Sequence, residues 1–288
     1  MSELECVVDA KSILGEGVFW SENEQCIYWV DIDGFIVYRF DPATGENVGR
    51  NVGKKVGTVA PTKSGKLVLG LSDGVYGFDF ETGELVKHCD PMQGGTENRL
   101  NDGKAGPDGR FYVGCMGKKQ SEGLYRIEAD GRWAEIENGI TCSNGLVWSL
   151  NNETFYYIDS PTRSVVAYDF NIETGDLSNR RTIIDVDPKL GIPDGMTIDS
   201  EGMLWVAHWQ GWNVRRWDPN TGNVLQEIPI LVERVTSCAF GGADYKDLYV
   251  TTSSVEVTNE DWPDQPQAGG LFRIRMDVAG VPCFEFSG

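Results

Sequence analysis

The chain has 288 residues, 40% of them hydrophobic and 11% aromatic, which is enough to bury a large core. Asp and Glu number 44 against 25 Lys and Arg, a formal net charge of -19, so a polyanion would be repelled rather than gathered. Nucleic acid and anionic membrane surfaces are thereby excluded as natural partners.

The amino terminus, "MSELECVVDAKS", carries acidic residues where a secretory signal needs a basic and then an apolar stretch, and no segment approaches the length of a membrane span. A cytoplasmic location is expected. The seven cysteines, at 6, 26, 89, 115, 142, 238 and 283, form no C-x-x-C pair, which predicts reduced, mostly buried thiols rather than a disulfide frame or a thiolate zinc site.

Taken in chain order, short β-type runs recur at a near-constant interval. They begin at Ile27 ("IYWVDI"), Leu67 ("LVLGL"), Phe111 ("FYVGCM"), Phe155 ("FYYID"), Leu204 ("LWVAHW") and Leu248 ("LYVTT"). The spacings are 40, 44, 44, 49 and 44 residues. Each run follows a turn cluster such as "KSGK", "PDGR", "LNNE" or "SEGM", and each is followed by a second β run, from "VYRFD" to "LFRIR". Four of the turns after the second runs carry a Thr-Gly pair, at 44–45, 82–83, 174–175 and 221–222. No segment holds a capped 3.6-residue apolar period, so helices should be few and short. Six such units predict an all-β fold, a six-bladed β-propeller of four-stranded antiparallel blades around a central channel, with residues 1–288 as one domain. A large sandwich or barrel does not predict that recurrence. The β-type ends "LECVVDA" and "PCFEFSG" are expected to pair within the last blade and close the ring.

The repeat also supplies a register for the strand that lines the channel. Ten or eleven residues before each anchor run stand Glu16, Gly57, Asn101, Asn144, Asp194 and Ser237. Five of the six are polar. Taken singly, Asn144-Gly145 and Asp194-Gly195 read as turns. Their common register with Glu16 and Asn101 instead predicts convergence on the axis, where crowded carboxylates require a counter-charge, most simply a cation. An oxygen-only donor set suits Ca, Mg or Mn and argues against a zinc site rich in His or Cys. The chain has two histidines, His88 and His208, so no three-histidine site can be built. His208 is read as near the channel or packed beside it, and Trp205, Trp209, Trp212 and Trp217 as packed between blades.

The strings "LGEGVFW" (14 to 20), "NRLNDGKAGPDGRFYVGCM" (98 to 116), "SNGLVWS" (143 to 149), "IPDGMTIDSEGMLWVAHW" (192 to 209) and "TSCAFGGADYKDLYVTTSS" (236 to 254) resemble the regucalcin, gluconolactonase and sugar-lactonase family over essentially the whole chain. The resemblance implies a six-bladed propeller, one divalent metal (Ca, Mg, Mn, Fe(II) or Zn), and Glu16, Asn144 and Asp194 as its ligands. It also implies substrate contacts from Arg99, Asn101 and Asp102. A substrate-contacting Glu of the family falls by count on Lys118, with Lys119 and Glu122 close by, so sugar selectivity does not transfer.

The expected reaction is hydrolysis of a sugar lactone, such as xylono-, arabinono- or gluconolactone, to its aldonic acid, as part of carbohydrate metabolism. Arg99, Asn101 and Lys118 would bind substrate; Asn101 would also steady the oxyanion, and Asp194 or Asp102 would serve as general base. The alternative readings are a metal-dependent phosphoester or organophosphate hydrolase and a propeller that binds without turnover. The only partner expected is the small-molecule lactone, with the protein a monomer or weak oligomer. "GLSDG" (70 to 74) fits the G-x-S-x-G nucleophile elbow, but a hairpin is expected there instead, with no helix behind it.

Overall fold

The computed structural model describes residues 3–94, 98–258 and 260–288. Among them lie six separate four-stranded antiparallel sheets arranged as a ring, the expected six-bladed propeller. Two 3-10 turns, Ser160–Thr162 and Pro188–Leu190, are the only helical segments among the described residues. Among the described residues no helix is long and apolar enough to cross a membrane.

The innermost strands, from blade 1 to blade 6, are Gly15–Ser21, Val56–Pro61, Arg99–Ala105, Ser143–Trp148, Ile192–Ile198 and Val235–Gly241. The recurring anchor runs are the second strands of the blades, and the Thr-Gly pairs close the turns between third and fourth strands. Those turns need the pair for a reason. The glycines of all four have φ between 71° and 77°, where a side chain is strained, and Asp41, Asp79, Asn171 or Asp218 accepts nearby backbone N–H groups.

Ring closure is shared differently between the two termini than the sequence suggests. Glu5–Val8 completes blade 6 as its outer strand, pairing with Leu271–Arg275. The C-terminal "PCFEFSG" joins no part of that sheet. It runs as a strap across one face of the ring, where Phe286 pairs with Thr62, Lys63 N–H donates to the Phe286 carbonyl (2.8 Å) and Ser287 N–H donates to the Gly109 carbonyl (2.9 Å). Phe286 is buried among side chains of blades 2 and 3, and that apolar seat draws the segment away from the blade 6 edge.

The core consists of six apolar clusters, one at each junction between neighbouring blades. Trp205 and Trp217 belong to them, as expected. Trp209 is half-buried, with the Arg234 guanidinium 5.4 Å from its ring centre, and Trp212 is exposed on a turn with φ 58°. All seven thiols are unpaired; Cys26, Cys115 and Cys238 are buried, Cys6, Cys89 and Cys142 half-buried, and Cys283 exposed. Residues 70–74 are the expected hairpin, joining Leu67–Leu71 to Gly74–Phe78.

Packing between innermost strands explains the Asn-Gly and Asp-Gly pairs, which lie inside strands and not in turns. Each sits where strand register shifts, as between Asn144 and Leu146 and between Pro193 and Met196. A Cβ on Gly145 would lie 2.6 Å from Met196 Cβ and 2.7 Å from the Asp194 carbonyl oxygen. Glycine lets the strands of blades 4 and 5 approach. We expect Gly145→Ala to destabilise the protein by about 1–3 kcal/mol, read as a lower urea midpoint at unchanged slope. An unchanged midpoint would show that the approach carries no strain.

Candidate active site on the propeller axis

Because the innermost strands run in the same direction along the channel, a shared register is a shared depth. Glu16, Asn101, Asp102, Asn144 and Asp194 all lie on these strands, and all are buried. The carboxyls of Glu16 and Asp194, from blades 1 and 5, are close enough to share a proton. Asn101 Nδ2 of blade 3 donates to Asn144 Oδ1 of blade 4 (3.0 Å) and to the Ser143 carbonyl (2.6 Å). Asn101 Oδ1 accepts from the Arg99 guanidinium.

Asn144 is held by residues outside its strand. Its Nδ2 donates to Ser160 Oγ (2.7 Å), and Ser160 Oγ donates to the Pro193 carbonyl (2.6 Å), beside Asp194. This relay turns the amide oxygen of Asn144 toward Asn101. It also ties the 3-10 turn of blade 4 to the start of the innermost strand of blade 5.

The electrostatics of the group are those of crowded acids away from water. Burial, then the charge of Asp102, pushes the Glu16 carboxyl up to about 8. Burial and the neighbouring Glu16 and Asp102 charges hold Asp194 well above the usual carboxylate range. Asp102 is raised by burial against the pull of Lys104. Half-buried Arg99 is drawn down from its ordinary range by burial, an effect opposed by Cys142, Asp33, Glu16 and Asp194. Asp194 Oδ1 is buried and has no hydrogen-bond partner. A buried carboxylate oxygen without a donor is costly, and a cation coordinated there would remove the cost.

The donor set fits a divalent ion. Glu16 and Asp194 bring two carboxylates, and the Asn144 amide oxygen is the third oxygen at the same depth. Among the described residues no cluster of three His, Cys, Asp or Glu side chains is placed as a metal cage, so the fit depends on that amide.

Other residues stand elsewhere. Lys118 is exposed in the loop between the second and third strands of blade 3, where its carbonyl accepts from Ser121 Oγ (2.9 Å). Glu122, the first residue of the strand that follows this loop, is buried and accepts from Asn98 Nδ2 (2.6 Å). His208 is fully buried in the second strand of blade 5, stacked on Trp217, and burial pushes it down to about 3. Sequence reasoning missed three neighbours of the site: Ser160; Cys142, whose thiol burial pushes up to about 12; and Lys104, whose ammonium crosses the channel to the Met196 carbonyl of blade 5 (2.5 Å).

The fold and this axial group define a class, the six-bladed propellers with a buried, oxygen-lined site where the blades meet. Residues 14–254 match the family model described as SMP-30/Gluconolactonase/LRE-like region, and the chain belongs to this family. Regucalcin of Gallus gallus is 38% identical over 295 residues, covering 99% of both chains. The Bacillus subtilis protein described as "Putative sugar lactone lactonase YvrE" is 36% identical over 283 residues, covering 97% of both. The solved structure of a regucalcin from Agrobacterium tumefaciens, described as a calcium-binding protein, superposes with a TM-score of 0.95 at 23% identity, covering 100% of this chain and 98% of that one, a likeness of fold. Membership of the family supports hydrolysis of sugar lactones as the general activity.

Proposed function

We propose that the protein is a divalent-metal-dependent lactonase that opens a five- or six-membered aldonolactone to its acid. The observation that carries the reading is the unpartnered, buried Asp194 oxygen beside Glu16, at the depth of the Asn144 amide. Glu16, Asn144 and Asp194 would hold the ion, with calcium, magnesium and manganese the cations best suited to oxygen donors. When bound, such an ion polarises an ester carbonyl and lowers the pKa of a water.

The rest of the chemistry belongs to the chain. Arg99 reaches Asn101 from the rim of the site and has further N–H groups for the hydroxyls of a sugar ring. Asn101 is locked by the Ser143 carbonyl and Arg99, so its amide is fixed before substrate arrives. Either Asp102 or Asp194 would take the proton from the attacking water. The Oδ1 of Asp102 already accepts from Gly103 N–H (2.8 Å), which leaves its second oxygen for that role. Lys118, exposed beyond the buried group, would contact only the outer part of a bound sugar. A small-molecule lactone is the partner, and the protein would act on it as a monomer or weak oligomer.

Acid release from xylono-, arabinono- and gluconolactone, followed by pH-stat with and without chelator, tests the reading. We expect chelator-sensitive opening of at least one lactone and a loss of about 10²–10³-fold in kcat/KM for Asn101→Ala. Absence of turnover on the whole panel, with turnover of a phosphotriester instead, would replace the lactone by a phosphoester. Retention of full activity in chelator would remove the metal.

A further inference from the structure

Below the axial carboxylates, toward the far ends of the innermost strands, the channel widens into a cavity of about 350 Å³. Its wall is mostly apolar and includes Phe19, Trp20, Trp148, Ile198 and Phe240, with Phe284 of the C-terminal strap across the end. Two charged side chains reach it, Asp102 and Lys104. Glu16, Arg99, Asn144 and Asp194 are not on this wall, so the cavity lies deeper along the channel than they do and meets the candidate active site at Asp102.

We infer that this lower channel is a second binding site, for a medium-chain aliphatic monocarboxylate seated with its carboxylate on Lys104 and its tail along the apolar wall. The volume falls within the range of small-ligand pockets. Apolar surface of this kind offers few of the polar partners a water needs, so an aliphatic tail fills it at a gain. Lys104 gives one hydrogen bond to the Met196 carbonyl, and an ammonium has three donors. Among the described residues Lys104 is the one cation on this wall; it stands beside the Asp102 carboxylate, and an anionic head group would take its remaining N–H donors. The mouth matches the tail: Leu150 and Phe284, both on the cavity wall, are 49% and 36% exposed, apolar side chains held in water at its rim. The inference uses none of the residues assigned to the metal, and of those assigned to the lactonase reaction only Asp102 borders the cavity.

Calorimetric titration with hexanoate, octanoate and decanoate, each below its micellar concentration, is the test. Affinity should rise about fourfold per added methylene until the cavity is full. Lys104→Met should weaken decanoate about 10-fold or more while leaving 1-decanol unchanged. Leu150→Glu, at an exposed position, should weaken decanoate and leave lactone turnover intact. Three results would overturn the site: no binding by any acid of the series, affinity independent of chain length, or equal decanoate binding by Lys104→Met. Decanoate that competes with lactone and is lost in Arg99→Ala would be bound at the upper site, which also overturns it.

Discussion

Replacing Asp194 by asparagine should remove activity and, in the metal-free protein, raise stability. On any lactone that the wild type opens, kcat/KM should fall beyond the roughly 10–100-fold that follows loss of a partner behind a metal ligand, because Asp194 would be a ligand itself. The stability gain has a separate cause. Asp194 is buried against Glu16 and Asp102, and one of its oxygens has no donor. An amide occupies the same volume without the charge. In chelator at pH 8 the variant should unfold later by on the order of 1–3 kcal/mol, or a few degrees in melting temperature for a chain of this size. A variant that loses both activity and stability would mark Asp194 as a structural carboxylate.

The metal-free wild type should itself weaken as pH rises. Glu16 goes from an ordinary 4.5 to about 8, and Asp194 moves in the same direction, so in this range the folded state binds more protons than the unfolded state. The stability contributed by the Glu16 proton is complete below about pH 4.5 and is lost as pH climbs toward 8, and Asp194 contributes with the same sign. In chelator the melting temperature should decline across that window. Calcium or manganese should reverse the decline most strongly at its upper end, where Glu16 gives up its proton and competes least with the cation. Saturation at one hundred times the dissociation constant would add about 2.7 kcal/mol. A melting temperature that stays flat between pH 5 and 8 in chelator, or the same cation effect at both, would show that these carboxyls do not carry the site.

The parts of the site legible in the sequence are those that the repeat encodes. Counting back from the anchor runs selected Glu16, Asn101, Asn144 and Asp194, and all four lie on innermost strands, because a constant interval from second strand to first fixes depth along the channel. Loops escape that rule. Lys118 lies in the loop between the second and third strands of blade 3 and Glu122 opens the third strand, and only the folded path of that loop decides that Glu122 turns inward against Asn98 while Lys118 is exposed. Ser160 was invisible for a related reason: it orients Asn144 from a 3-10 turn sixteen residues downstream, in no register with the repeat.

By itself, then, the sequence determined the number of blades, the direction and spacing of their strands, and the residues at the depth of the site. These follow from local alternation and turn chemistry repeated about every 44 residues. The tertiary structure alone decided what lies opposite what across the channel. Lys104 meets the Met196 carbonyl, 92 residues away, because only blade 4 separates blades 3 and 5 on the ring and the lysine side chain is long enough to span the gap at the channel. The C-terminal strap crosses the ring for Phe286 to reach its apolar seat between blades 2 and 3. Contacts across an axis depend on ring curvature and on side-chain reach, and neither is written in the order of residues along any one blade.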